Sequence, residues 1–202
     1  PGGSIATMKE IVTAIRASNV PVIVYVSPRG AWAGSAGAMI TMSAHASAMA
    51  PETLIGAASP VGGSGEDLGE TMKAKEMEAL TSLVRSLTTR RGEKVVALAE
   101  SMITEAKAVT SDEALEAGLI DFVVDNTDDL LEALNGFTVQ MPDGPHVLNT
   151  GTARAEPLEM SLIERLLLLL TDSNVVFLLL SIGVQAILIE LSSPGGWVAG
   201  FI

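Results

Sequence analysis

The sequence predicts an α/β domain followed by a C-terminal apolar helical segment that enters a membrane, and three observations carry that prediction. Strand-like and helix-like apolar patterns alternate from residue 4 to residue 134. Pro21-Val22-Ile23-Val24-Tyr25-Val26 is a continuous, largely β-branched run, as expected of a buried parallel strand. The run Val175 to Leu191 has 17 residues with Gln185 and Glu190 as its only strongly polar members, which reaches the lower bound for a bilayer span.

Taken in order, Ile5, Met8, Ile11, Val12 and Ile15 recur at helical spacing and predict an amphipathic helix from Ser4 to Ala17. The strand at 21–26 follows. Residues Pro28 to Gly37 read as a Gly/Ala/Ser turn, and Ala38 to Ala44 as a small-residue helix. Two short strands are expected at Ala46–Met49 and Leu54–Ala57, separated by Pro51. Gly62 to Asp67 is a polar, glycine-rich loop and a lid candidate. Met72, Met77, Leu80, Leu83, Val84 and Leu87 then mark a long helix from about Leu68 to Arg91, stopped by Gly92. A second helix covers roughly Glu93 to Met102, and Ser111-Asp112-Glu113 carries the cap residue and first-turn acids of another. Leu119 to Val124 is the next strand, and Asp128 to Leu134 a further helix.

After Gly136 the pattern changes. Phe137 to Leu148 reads as two short strands around Pro142-Asp143-Gly144, and Asn149 to Glu159 as a polar linker. Five consecutive leucines at 166–170 precede the long apolar run and suit a membrane interface. The expected organisation is therefore a domain over 1–136, a β extension and linker over 137–160, and an incomplete helical membrane segment over 161–202. Pro1-Gly2-Gly3-Ser4 has neither an initiator Met nor a signal-peptide pattern and reads as the interior of a domain.

Composition narrows the chemistry. A formal net charge of −12 argues against a nucleic-acid partner, which is held chiefly through Lys and Arg. The absence of cysteine excludes disulfides and a thiolate nucleophile, and two distant histidines make a histidine metal site improbable. Neither a metal nor an organic cofactor is expected.

Ser35, in Gly34-Ser35-Ala36-Gly37, is the candidate nucleophile. It follows a buried-strand signal and a glycine-rich turn where a helix begins, so helix N-terminal amides stand near its hydroxyl. On spacing alone, Ser35 reads more readily as a simple helix cap.

A set of motifs in order separates these readings. Arg29-Gly30-Ala31-Trp32-Ala33-Gly34-Ser35-Ala36-Gly37, Ala48-Met49-Ala50-Pro51 and Ile55-Gly56-Ala57-Ala58-Ser59-Pro60 resemble the NfeD proteins, membrane serine proteases of the ClpP class related to signal peptide peptidase A. The resemblance continues through Arg85-Ser86-Leu87, Arg91-Gly92, Thr110 to Ile120, Glu164-Arg165-Leu166 and Ser193-Pro194-Gly195-Gly196. It implies a ClpP/crotonase-like fold of repeated β-β-α units and a Ser–Lys dyad in which Ser35 is the nucleophile. By counting back from Arg85-Ser86-Leu87 and Arg91-Gly92, the general base is Lys75, with Lys73 as runner-up. The histidine slot of ClpP falls at Ala58, and His45 is expected to be structural. The oxyanion hole carried over is the backbone amides of Gly3 and Ala36, with Gly2, Gly3 and Gly34 against the substrate backbone. The resemblance further implies a peptide or membrane-protein substrate, a stomatin-like (SPFH) partner, homo-oligomerisation as a dimer or larger, and a multi-pass membrane location with the protease domain outside the cytoplasm. A catalytically silent scaffold for an SPFH partner is the alternative function.

Overall fold

The computed structural model describes residues 3–60 and 69–192, and the chain divides into two units, Pro1–Ala155 and Glu156–Ile202. In the first unit, β1 (Ile23–Val26), β3 (Ala46–Met49) and β6 (Phe122–Val123) form a parallel sheet in the order β1-β3-β6. A second sheet has the order β2-β4-β5, with β2 (Trp32–Gly34) parallel to β4 (Leu54–Gly56) and β5 (Ala108–Thr110) antiparallel to β4. The registers Ile23↔Ala46 and Trp32↔Leu54 reveal a repeat in the chain. β1, β2 and α2 (Ala36–Ser43) form one β-β-α unit, and β3, β4 and α3 (Glu70–Thr88) the next. This is the repeat that the resemblance implied.

The helices lie where apolar spacing placed them. α1 (Ile5–Arg16) is capped by the Ser4 hydroxyl, which accepts the Thr7 amide, and it buries Met8, Val12 and Ile15. α4 (Glu93–Thr104) buries Val95, Ala99, Met102 and Ile103. With Met39, Met42, Met49, Ile55 and Val84 these side chains form the main core, which is aliphatic and methionine-rich. A smaller core gathers Ala46, Ala48, Leu130, Leu134, Val139 and Met141, from β3, α6 (Thr127–Leu134) and β7 (Thr138–Met141), which pairs with β8 (Gly144–Val147).

Three strand expectations differ from the structure. β2 lies inside the segment read as a turn, because Trp32-Ala33-Gly34 has too few apolar residues to show alternation. β5 has three residues and one buried side chain, Val109, again too short for a pattern. The strand expected over Leu119–Val124 shrinks to Phe122–Val123. α5 (Ser111–Ala117) ends on Gly118 in the left-handed region, and the Leu119 and Ile120 amides turn back to the Ala114 carbonyl.

His45 is 3% exposed and joins the ends of two elements: its Nδ1 accepts the Val22 amide at 3.0 Å and its own amide donates to the Val22 carbonyl at 3.0 Å. Burial, followed by the Arg16 and Arg90 charges, holds its pKa below the ordinary 6.5. The unfolded chain therefore binds a proton that the folded chain refuses. Stability contributed by neutral His45 is complete above pH about 6.5 and is lost as the pH falls below it, at no more than about 1.4 kcal/mol per unit. Urea unfolding between pH 7 and 5 should show this slope, and His45→Gln should flatten it.

In the second unit, α7 (Leu162–Thr171) carries a capping box from Ser161 and Glu164. α8 (Ser173–Ser192) contains the window Ser173–Glu190, none of it buried, and is long and apolar enough to cross a membrane.

Candidate active site

Ser35 is the single residue between the end of β2 and the start of α2. Its φ of 53° and ψ of −120° lie in a region that a side chain occupies only under strain, of order 1–3 kcal/mol. The Ser35 amide donates to the Gly56 carbonyl at 3.1 Å, which ties the turn to β4. The turn has the sharp strand-to-helix form that carries the nucleophile in α/β-hydrolases. Ser35 does not use its hydroxyl to cap α2.

Ser35 borders a cavity of about 50 Å³ lined also by Gly3, Ile5, Met8, Ala36, Met39, Ala58, Ser59, Pro60 and Leu80. Two helix N-termini meet there, the start of α1 at Gly3 and Ile5 and the start of α2 at Ser35 and Ala36. Ala36 is the first residue of α2, so its amide has no acceptor within the helix and finds none among the described residues. Gly3 is immediately beside it, since a Cβ built on Gly3 would sit 3.7 Å from Ala36 Cβ. The cavity thus combines a hydroxyl, unused helix amides with their positive dipole ends, and an apolar wall. Ile5, Met8 and Leu80 in that wall stood out in the sequence only as apolar positions at helical spacing, which does not separate a core residue from one lining a cavity.

Gly56 holds this arrangement in place. Its φ is +128°, and a Cβ there would lie 2.3 Å from the Lys107 carbonyl oxygen and 2.9 Å from Ala108 Cα. Both contacts are with backbone, so neither relaxes cheaply. Gly56→Ala should destabilise the domain by roughly 2–3 kcal/mol and displace the carbonyl that anchors Ser35. A thermal melt checks the first effect and hydrolysis by the folded fraction the second.

The structure brings together Ser35, Gly3, Ala36 and Ala58. Gly34 is buried but does not line the cavity. The Trp32 indole covers it so closely that a Cβ at Gly34 would meet Cε2 at 2.8 Å. Lys73 and Lys75 lie exposed in the first half of α3, and neither lines the cavity; Lys75 borders a separate depression with Gly69, Glu70, Thr71 and Met72. Gly2 and the loop at 62–67 lie outside the described residues.

Residues 1–141 match the family described as NfeD1b, N-terminal domain. The chain is 37% identical over 199 residues to the membrane-bound protease PH1510 of Pyrococcus horikoshii, covering 96% of this chain and 45% of that protein. Among solved structures it resembles the 1510-N membrane-bound stomatin-specific protease as a lysine-to-alanine mutant in complex with a substrate peptide. That match has a TM-score of 0.74 and 32% identity, over 85% of this chain and 80% of the other. A serine-to-alanine mutant of the same protease matches with a TM-score of 0.70 and 33% identity, over 80% of this chain and 79% of that one.

Proposed function

Since the chain belongs to the NfeD1b N-terminal-domain family, we propose that it is a membrane-associated serine endopeptidase in which Ser35 is the nucleophile and Lys75 the general base. The observation that carries the reading is Ser35 itself, held at positive φ at the mouth of an apolar cavity with the unused Ala36 amide beside it. Its hydroxyl attacks the scissile carbonyl and passes its proton to a neutral Lys75 amine. The oxyanion forms against the Gly3 and Ala36 amides. Lys75 then protonates the leaving amine, and a water repeats the sequence on the acyl-enzyme. A lysine serves as a base only where desolvation disfavours its charged form. A substrate laid across the cavity and the start of α3 supplies that desolvation.

The residues replaced in the two relative structures support this pairing. They stand 41 positions apart in that protease; Lys75 follows Ser35 by 40 positions and Lys73 by 38. Helix geometry pulls the other way. Lys73 precedes Leu80, which lines the cavity, by seven residues and so shares its face to within about 20°, whereas Lys75 is turned about 140° from it. Lys75→Ala should lower hydrolysis of an apolar peptide by on the order of 10³-fold or more, and Lys73→Ala by less than tenfold. The reverse result would transfer the base to Lys73. Equal activity in wild type and both variants would remove both lysines as the base, and no hydrolysis by any of the three would favour the silent scaffold, the reading that the exposure of Lys75 outside the cavity supports.

The apolar lining suits extended apolar peptide. The resemblance and the stomatin-specific relative together support a stomatin-like substrate partner. α8 supports a membrane location. Further spans, an extracytoplasmic protease domain and self-association belong to the same proposal.

A further inference from the structure

The two tryptophans of this aromatic-poor chain are Trp32 and Trp197. Trp32 is 50% exposed, an expensive position for the largest apolar side chain unless something covers it. It stands on β2, at the edge of the β2-β4-β5 sheet. Side chains two residues apart share a strand face, so Trp32 projects on the same side as Gly34. Its ring leans along the strand toward Ser35. A Cβ on Gly34 would be 2.8 Å from Trp32 Cε2 and 3.1 Å from Cδ2 and Cζ2. Adding one Cα–Cβ bond and one Cα–Cα step places the ring's nearest atom within about 8 Å of Ser35 Cα. On the neighbouring strand Leu54 stands directly opposite Trp32 and is itself 41% exposed. The pair forms an apolar ledge near Ser35, and neither residue lines the cavity.

We propose that Trp32, with Leu54, is a specificity-determining surface that takes an apolar side chain of the substrate close to the scissile bond. An extended peptide advances about 3.4 Å per residue, so a ring within about 8 Å of Ser35 Cα reaches substrate residues one or two positions from the cut. The ring packs over Gly34, where any side chain would collide with it. The proposal rests on the peptidase reading and deepens it.

The test uses the full chain in detergent and two internally quenched peptides that differ only in Leu or Ala at the positions within two residues of the cut. Trp32→Ala should reduce kcat/KM for the Leu peptide by on the order of tenfold or more, with a much smaller loss on the Ala peptide, while Trp32→Phe retains most of the preference. Equal losses on the two peptides would overturn the assignment. A second arm needs no turnover. In a Ser35→Ala, Trp197→Phe chain Trp32 is the one remaining indole, and adding the Leu peptide should shift its emission to shorter wavelength. Unchanged emission under saturating peptide would also overturn it. If wild type cleaves neither peptide, the peptidase reading falls, while the emission arm still decides whether Trp32 meets peptide.

Discussion

Replacing Ser35 by Ala should abolish hydrolysis of an apolar peptide, with an expected fall in turnover of roughly 10⁴–10⁶-fold, and leave a folded chain that still binds the peptide. Removing the nucleophile of a serine hydrolase eliminates the acyl-enzyme route and leaves only binding and oxyanion contacts. Among the described residues the hydroxyl caps no helix, and the turn is held by the hydrogen bond from the Ser35 amide to the Gly56 carbonyl. The melting temperature of Ser35→Ala should therefore match wild type. Ser35→Gly should lose as much activity yet gain on the order of 1 kcal/mol of stability, because glycine occupies φ 53° without strain. Retained hydrolysis in either variant contradicts the assignment. The same melting temperature in the glycine variant would mean that the turn is not strained.

The largest stability effect is expected at Asp121. Its carboxylate pairs with both terminal nitrogens of Arg91, at 2.9 and 2.8 Å, with each side chain 14% exposed. The same carboxylate accepts the Ser47 amide at 2.8 Å, while the Asp121 amide donates to the Ser47 carbonyl at 2.8 Å. Arg91 also donates to the Gly118 carbonyl at 3.2 Å. This cluster joins the turn after α3, the middle strand β3 and the approach to β6. Asp121→Ala would strand the guanidinium in a buried site and remove the partner of a β3 amide, costing about 3–5 kcal/mol. Replacing both partners with apolar residues should cost much less than removing one. Urea unfolding of the single and double variants measures the difference, and additive losses would show that the two charges do not depend on each other.

Legibility from sequence followed the range of the interactions. α1 and α4 announced themselves through apolar periodicity and β1, β3 and β4 through short apolar runs, whereas the cap of α5 fell on Thr110, one residue before the Ser111 that the sequence suggested, with Glu113 completing a capping box. β2 and β5 stayed hidden because a three-residue strand is defined by its partner rather than by its own pattern. The Arg91–Asp121 pair was equally invisible: the residues are thirty positions apart, and neither has a local signature that names the other. In the site, Ser35, Gly3 and Ala36 were named from motifs, and they do line one cavity. The strain at Ser35, the anchoring by Gly56 and the Trp32 cover on Gly34 needed three-dimensional backbone geometry. Lys75 illustrates the reverse. Motif spacing selects it, yet the exposed first half of α3 buries no apolar side chain before Leu80 and so lacks the packing that would fix a base against Ser35.

The central claim, that Ser35 is a nucleophile activated by Lys75, is tested most directly by treating the full chain with a fluorophosphonate and locating the adduct by peptide mass spectrometry. An apolar peptide is added in parallel to dry the site. The account predicts a phosphonylated Ser35 in wild type and slowing by orders of magnitude in Lys75→Ala. An unlabelled Ser35, or labelling at an unchanged rate without Lys75, would contradict it.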